Sequence, residues 1–188
     1  MCIRDSHRRV GAERQLFPRY TFDDLAGRTN RLRGLRTEEI VVAERNGRIV
    51  GTLATWSQSS FRRWVVCDYR QPLKMLRPLY NLAAPGFGRW PLPRPSTAMP
   101  YRYAALLCIE GNEEGILADL LRGATELTPL RGSPLVCAAH QRDPNLQFLS
   151  RLSGYNMRSR MFVVYRRDRS TPLQRPEERV PHIEAGTI

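Results

Sequence analysis

The residues whose types and spacing suggest chemistry are Glu110-Gly-Asn-Glu-Glu-Gly115, lodged between an apolar run and a helical pattern. A strand that feeds a helix through a glycine-containing loop turns free backbone N–H groups and the positive end of the helix dipole toward one point, which suits an anion. Gly111 and Gly115 permit the turn. Glu113 and Glu114 bring charge of the wrong sign: a carboxylate about 4 Å from a phosphate costs roughly 1 kcal/mol in water-like surroundings and about 4 at an effective dielectric near 20. With no ligand, the same acids would simply stabilise a helix N-terminus. A second candidate is His140, at the end of another apolar run. Cys67, Cys108 and Cys137 form no C-x-x-C pair and no second ligand pair completes a metal spacing, so no metal is expected.

The elements that must hold this loop read as follows. Tyr103–Ile109 is short, continuous and apolar, which predicts a buried strand. Leu117, Leu120, Leu121, Ala124 and Leu127 share one helical face, and Pro129 stands where such a helix stops. Ile40–Arg45 and Arg48–Trp56 flank Asn46-Gly47, a hairpin signal, with Gly51 marking a bulge or a close backbone approach. Thr21 caps a helix that carries Asp23 and Asp24 in its first turn. Phe61–Cys67 is expected to extend the hairpin sheet. Residues 68–100 hold seven prolines and form a basic, partly helical insertion, in which Leu73, Leu76, Leu79, Tyr80 and Leu82 are expected to pack on the body. Ser133–His140 reads as a strand, Asp143–Leu152 as a helix and Met157–Arg166 as a last strand. The tail from Arg167 is charged and proline-containing and predicts disorder. Met1–Ser6 looks like a translated sequencing adaptor, so residues 1–6 are set aside from fold reasoning and the true N-terminus is expected to be missing.

Length and charge bound the rest. The 188 residues suit one domain, here 7–166. No apolar run approaches the ~20 residues of a membrane span, and cysteine usage suits a reducing cytoplasm. The net charge is +12, and of the 30 basic residues only Lys74 is a lysine. Residues 62–102 hold eight basic residues against Asp68 alone, a surface for phosphates, acidic substrates or nucleic acid.

A hairpin followed by strand, helix, strand, helix and strand resembles the GNAT N-acetyltransferase superfamily. The resemblance runs from Thr21 to Arg166, and Asp143–Val164 is its most specific part, a short helix ending in Gly154-Tyr155 before a strand. It implies an α+β fold: a central mixed β-sheet flanked by helices, with the family's first strand lost. It also implies acetyl-CoA as co-substrate and an unknown amine as acceptor, with Leu107, Cys108, Ile109, Gly111, Asn112, Gly115 and Ile116 as the binding residues. Departures are visible: Asn112 stands where the family has Arg or Gln, and Leu117 adds bulk where it has Gly or Ala. Ser150 replaces the usual Tyr acid and Asp143 an Asn, so the catalytic residues stay unassigned. Glu110 and His140 are the nearest bases, and Tyr101 and Tyr103 read as pocket wall or core.

The resemblance thus implies acyl transfer from acyl-CoA to an amine, or a degenerate half of a tandem protein whose other half packs on this domain. The alternatives are a scaffold, or a nucleic-acid binder using the Arg residues of 62–102 with Phe61, Trp64, Tyr69, Tyr80 and Trp90 interleaved.

Overall fold

The computed structural model describes residues 2–87, 89–127, 133–152, 154–162 and 178–187. Its elements are α1 (Ile3–Gly11), α2 (Phe22–Leu25), β1 (Ile40–Arg45), β2 (Arg48–Trp56), β3 (Trp64–Val66), α3 (Leu73–Ala83), β4 (Thr97–Met99), β5 (Arg102–Ile109), α4 (Glu114–Leu127), β6 (Leu135–Val136) and α5 (Leu146–Arg151).

Four strands form a mixed sheet in the order β1-β2-β5-β6. The first two pairings are antiparallel and β5–β6 is parallel. This is the expected α+β arrangement of a mixed sheet with flanking helices. The hairpin forms as its turn residues require, with Asn46 and Gly47 both at positive φ. Gly51 is a close approach: a Cβ there would stand 2.6 Å from Ile116 Cγ2 and 3.0 Å from Leu120 Cδ1. Glycine lets α4 settle directly on β2.

Each face of the sheet is covered differently. On one, Ile116, Leu117, Leu120 and Ala124 of α4 pack on Val50, Leu53, Ala104 and Ile109. Burying each large aliphatic side chain contributes about 1.5–3 kcal/mol. Leu127 lies at the exposed end of that face. On the other, Tyr20, Leu32 and Ala185 meet Ala54, Trp56, Tyr101, Tyr103 and Leu106. This cover comes from both chain ends. Helix α1 contributes Ser6, His7 and Val10, all buried, so Ile3–Ser6 are its first turn. Residues 180–187 return from the far end, with Gln15 and Pro181 in a parallel bridge.

Several expectations change. The tail was predicted to be disordered, yet within 178–187 Glu184, Ala185 and Gly186 are buried; the remainder of 167–188 lies outside the described residues. Phe61–Cys67 does not extend the main sheet: its β3 pairs with β4 in a separate two-stranded sheet. Ser133–His140 narrows to Leu135–Val136, and the helix over Asp143–Leu152 to Leu146–Arg151. Met157–Phe162 has no strand, and the rest of that expected strand lies outside the described residues. Helix α3 runs through Pro78, and its apolar side does not pack on the body. Instead its polar side is held: Asn81 exchanges two hydrogen bonds with the Leu92 backbone, and Arg77 Nε donates to the Pro93 carbonyl. Leu73, Met75, Leu76, Leu79 and Leu82 face outward.

Candidate functional site

The site begins with a fault in a ladder. The β2–β5 register shifts between Thr52 and Ala54, and Leu106 opposite takes φ 52°. A bulge of this kind turns a backbone N–H away from its strand partner. The Leu106 N–H donates instead to Glu184 Oε2 at 3.1 Å. Glu184 is buried, its Oε1 has no hydrogen-bond partner among the described residues, and His182 Nε2 stands 3.8 Å from Oε2. The Leu106 carbonyl accepts from Thr52 Oγ1 at 2.7 Å, which spends the hydroxyl proton. His7 Nε2 lies 2.9 Å from the same oxygen and is therefore the donor. Burial first, then the charge of His182, pushes the His7 pKa down to about 4 against a backbone bond to Leu106 that raises it, so its ring is neutral at pH 7. Tyr20, beside Glu184, is raised well above its ordinary range, by burial first and by that carboxylate second.

After Tyr103, β5 and β6 part. They pair only at Arg102–Leu135 and Tyr103–Val136, so Leu107 and Ile109 diverge from Ala138 and Ala139. The gap that results is almost filled by the chain itself. Val10, Phe17 and His182 enter it, leaving a cavity of about 20 Å³, room for about one water. Arg14 closes the rim: its guanidinium donates to Asp143 Oδ2 at 2.7 Å and to Asn112 Oδ1. The Arg14–Asp143 pair is about nine-tenths buried. Breaking such a pair by removing one partner strands the other charge and is costly.

The loop before α4 is arranged more openly than its sequence suggested. Gly111 and Asn112 both take positive φ, and nothing lies within 4 Å of where a Gly115 Cβ would stand. The acids have partners: Glu110 pairs with Arg48 and Arg9, Glu113 with Arg45 at 2.8 Å and Glu114 with Arg151 at 3.0 Å. Their charge is met by arginines, which weakens the expected repulsion of an anion. Leu117, expected to add bulk at the ligand surface, is fully buried against the sheet, and Ile116 is buried beside it. The first-turn N–H groups of α4 have no intrahelical acceptor, as in any helix.

Of the residues expected to bind acetyl-CoA, Leu107, Ile109 and Asn112 line the filled gap, whereas Gly111 on the loop and Gly115 in the first turn of α4 are exposed. Cys108 points the other way, with Sγ 3.7 Å from Ser6 Oγ, and burial pushes its thiol up to about 11, which keeps it protonated. The candidate catalysts are otherwise engaged. Ser150 donates to the Gln147 carbonyl, Asp143 holds Arg14, and His140 Nδ1 accepts from the Arg142 N–H within a turn. Tyr101 and Tyr103 stack edge to face beside Trp64. Sequence reasoning missed Leu106, because a bulge leaves no mark in an apolar run. It also missed Glu184, although Val180, Ile183 and Ala185 interrupt the charged tail. Among the described residues no group of three His, Cys, Asp or Glu could hold a metal, and no helix is long and apolar enough to cross a membrane.

No protein-family model matches the chain, and no curated protein matches it. Among solved structures the chain is similar to an aminoglycoside N-acetyltransferase, AAC(6')-Iy, in complex with CoA. The identity is 10%, the TM-score 0.36, and the match covers 68% of this chain and 75% of that one. That likeness is one of fold alone.

Proposed function

We propose that this chain is a GNAT-like acyltransferase domain that moves an acyl group from acyl-CoA to an amine, and that its own ends close the cofactor cleft. One observation carries the reading. The Leu106 N–H is turned out of the β2–β5 ladder at a bulge, on the strand that diverges from β6 and leads through Gly111 and Asn112 into the N-terminus of α4. An acyl thioester joined to a pyrophosphate needs that pair of features: an N–H for the carbonyl oxygen, and helix-end amides for the phosphates. The residues fit at the phosphate end, where Gly115 is open and the acids are paired. At the thioester end, Glu184 holds the amide that the carbonyl would take.

In this reading the Glu184 carboxylate leaves the Leu106 N–H while Gly186 and Thr187 stay in place, the N–H receives the thioester oxygen, and Leu107–Ile109 align the arm behind it. The amine attacks the carbonyl carbon, the C–S bond breaks, and the thiolate takes up the proton that the amine gives off. Holding the two reactants in line supplies much of the rate. A cytoplasmic setting accords with the unpaired cysteines among the described residues. The basic segment 62–102 as a nucleic-acid surface has no motif behind it, and α3 spends Arg77 on backbone carbonyls.

Calorimetric titration with acetyl-CoA tests the reading. The expected result is micromolar binding that tightens about tenfold in Glu184→Ala, since the competing carboxylate is gone. Absence of binding in both the native chain and the variant overturns it.

A further inference from the structure

A second recess opens on the tail side of the sheet, about 410 Å³ in volume. Arg31, Arg33 and Arg62 stand around it with Trp56, Gln58 and Phe61, and Gly186 and Thr187 of the tail complete the wall. No acidic side chain is among its described lining residues. We infer that this recess takes an acceptor that carries an acid group as well as its amine, either a carboxylate or a phosphate; this rests on the acyl-transfer reading above.

Three features support it. The first is the charge of Arg33. Arg31 is anchored by the Arg19 carbonyl and by Asp24 at 3.4 Å, whereas no carboxylate among the described residues pairs with Arg33. The Arg33 guanidinium lies over the Phe61 ring, 5.6 Å from its centre, which fixes a planar donor fork at the recess edge. Such a fork binds carboxylate or phosphate in two parallel hydrogen bonds. The second is an unspent acceptor. Gln58 is buried, its Nε2 donates to the Gly186 carbonyl, and its Oε1 has no partner among the described residues. A buried acceptor of this kind is normally satisfied, and a donor of a bound molecule, such as the hydroxyl of a phosphate monoester, would do so. The third is position. Trp56 pairs with Tyr103 in the ladder, three residues along β5 from Leu106, which is about 10 Å at the usual strand rise. Ala185 alone separates Glu184, on the Leu106 amide, from Gly186, in the recess wall. An acid held by Arg33 thus directs an amine toward the bulge, as an ω-amino acid or a phosphorylated amine would present it. A polycationic amine meets three arginines and is disfavoured.

The test is binding to the full chain, read by calorimetry and by Trp fluorescence, with matched probes: 6-aminohexanoate against hexylamine, O-phosphoethanolamine against ethanolamine, and spermidine. Each acid-bearing amine is expected to bind at least tenfold more tightly than its plain counterpart, and whichever acid gains more identifies the group. Arg33→Ala should abolish the preference while Arg33→Lys keeps part of it; the side chain is at the surface, so both variants should fold. Equal binding of hexylamine or spermidine, or an unchanged preference in Arg33→Ala, overturns the inference. Acetyl-CoA binding with no preference for the acid defeats this inference and leaves the acyl-transfer reading. A preference for the acid with no acetyl-CoA binding defeats the acyl-transfer reading and leaves an anion recess.

Discussion

The two faces of the four-stranded sheet solve the problem of burial in opposite ways. The α4 face is closed by one continuous helix, whose Ile116, Leu117, Leu120 and Ala124 meet Val50, Leu53, Ala104 and Ile109. The opposite face is closed by pieces from both chain ends, and polar groups lie buried among them: Ser6, His7, Thr52, Gln58 and Glu184. The difference teaches where chemistry is kept. A face built from a single helix needs no polar partners beyond its own backbone bonds. A face assembled from a short helix, coil and turns must satisfy many backbone groups with side chains, and the same groups become available for a ligand.

The contrast predicts distinct responses to perturbation. The largest concerns the apolar face: Leu117→Ala should cost about 3–5 kcal/mol through lost burial and the cavity left behind, measured by urea unfolding, with the same loss at pH 7 and pH 5. A pH-independent loss below 2 kcal/mol would mean that α4 readjusts onto β2. Next comes the polar face. The folded-state pKa of His7 is about 4 against 6.5 for a solvated imidazole, so below pH 6.5 the unfolded chain binds the extra proton. Stability is therefore full above pH 6.5 and declines as pH falls toward 4, by about 3 kcal/mol over the window. Urea unfolding of His7→Gln should be flat across that range; an unchanged slope would place the titrating group elsewhere. The smallest effect returns to the apolar face. Gly51→Ala puts a methyl 2.6 Å from Ile116 Cγ2, and overpacking of this kind costs about 1–3 kcal/mol. A neutral result, again by urea unfolding, would show that α4 moves aside freely.

Legibility follows the same division. The hairpin was readable because Asn46-Gly47 sits between apolar runs, and β5 and α4 because an apolar run and a helical stripe are local patterns. The mixed α+β sheet follows from their order. The anion loop was readable for the same reason, but not its electrostatics: Arg45 and Arg151, which meet Glu113 and Glu114, lie far away in the sequence. The bulge at Leu106 and its contact with Glu184 join residues 78 positions apart, and nothing in either stretch announces the other. Phe61–Cys67 carried the composition of a strand without its address, since composition cannot choose between β2 and β4 as partner. Asp143 was read as a helix cap; it accepts from the Asn145 N–H, but its larger commitment is to Arg14, 129 positions away.

The inverted orientation of α3 has a consequence in solution. With Met75, Leu79 and Leu82 outward and Asn81 and Arg77 inward, the molecule carries an adhesive stripe, and mutual repulsion between chains of net charge +12 keeps such stripes apart. That repulsion reaches about 10 Å at 0.1 M salt and about 3 Å at 1 M. Added salt therefore favours clustering of this protein, so its colloidal stability is greatest in dilute buffer, and a Leu79→Lys substitution should extend its solubility into higher ionic strength.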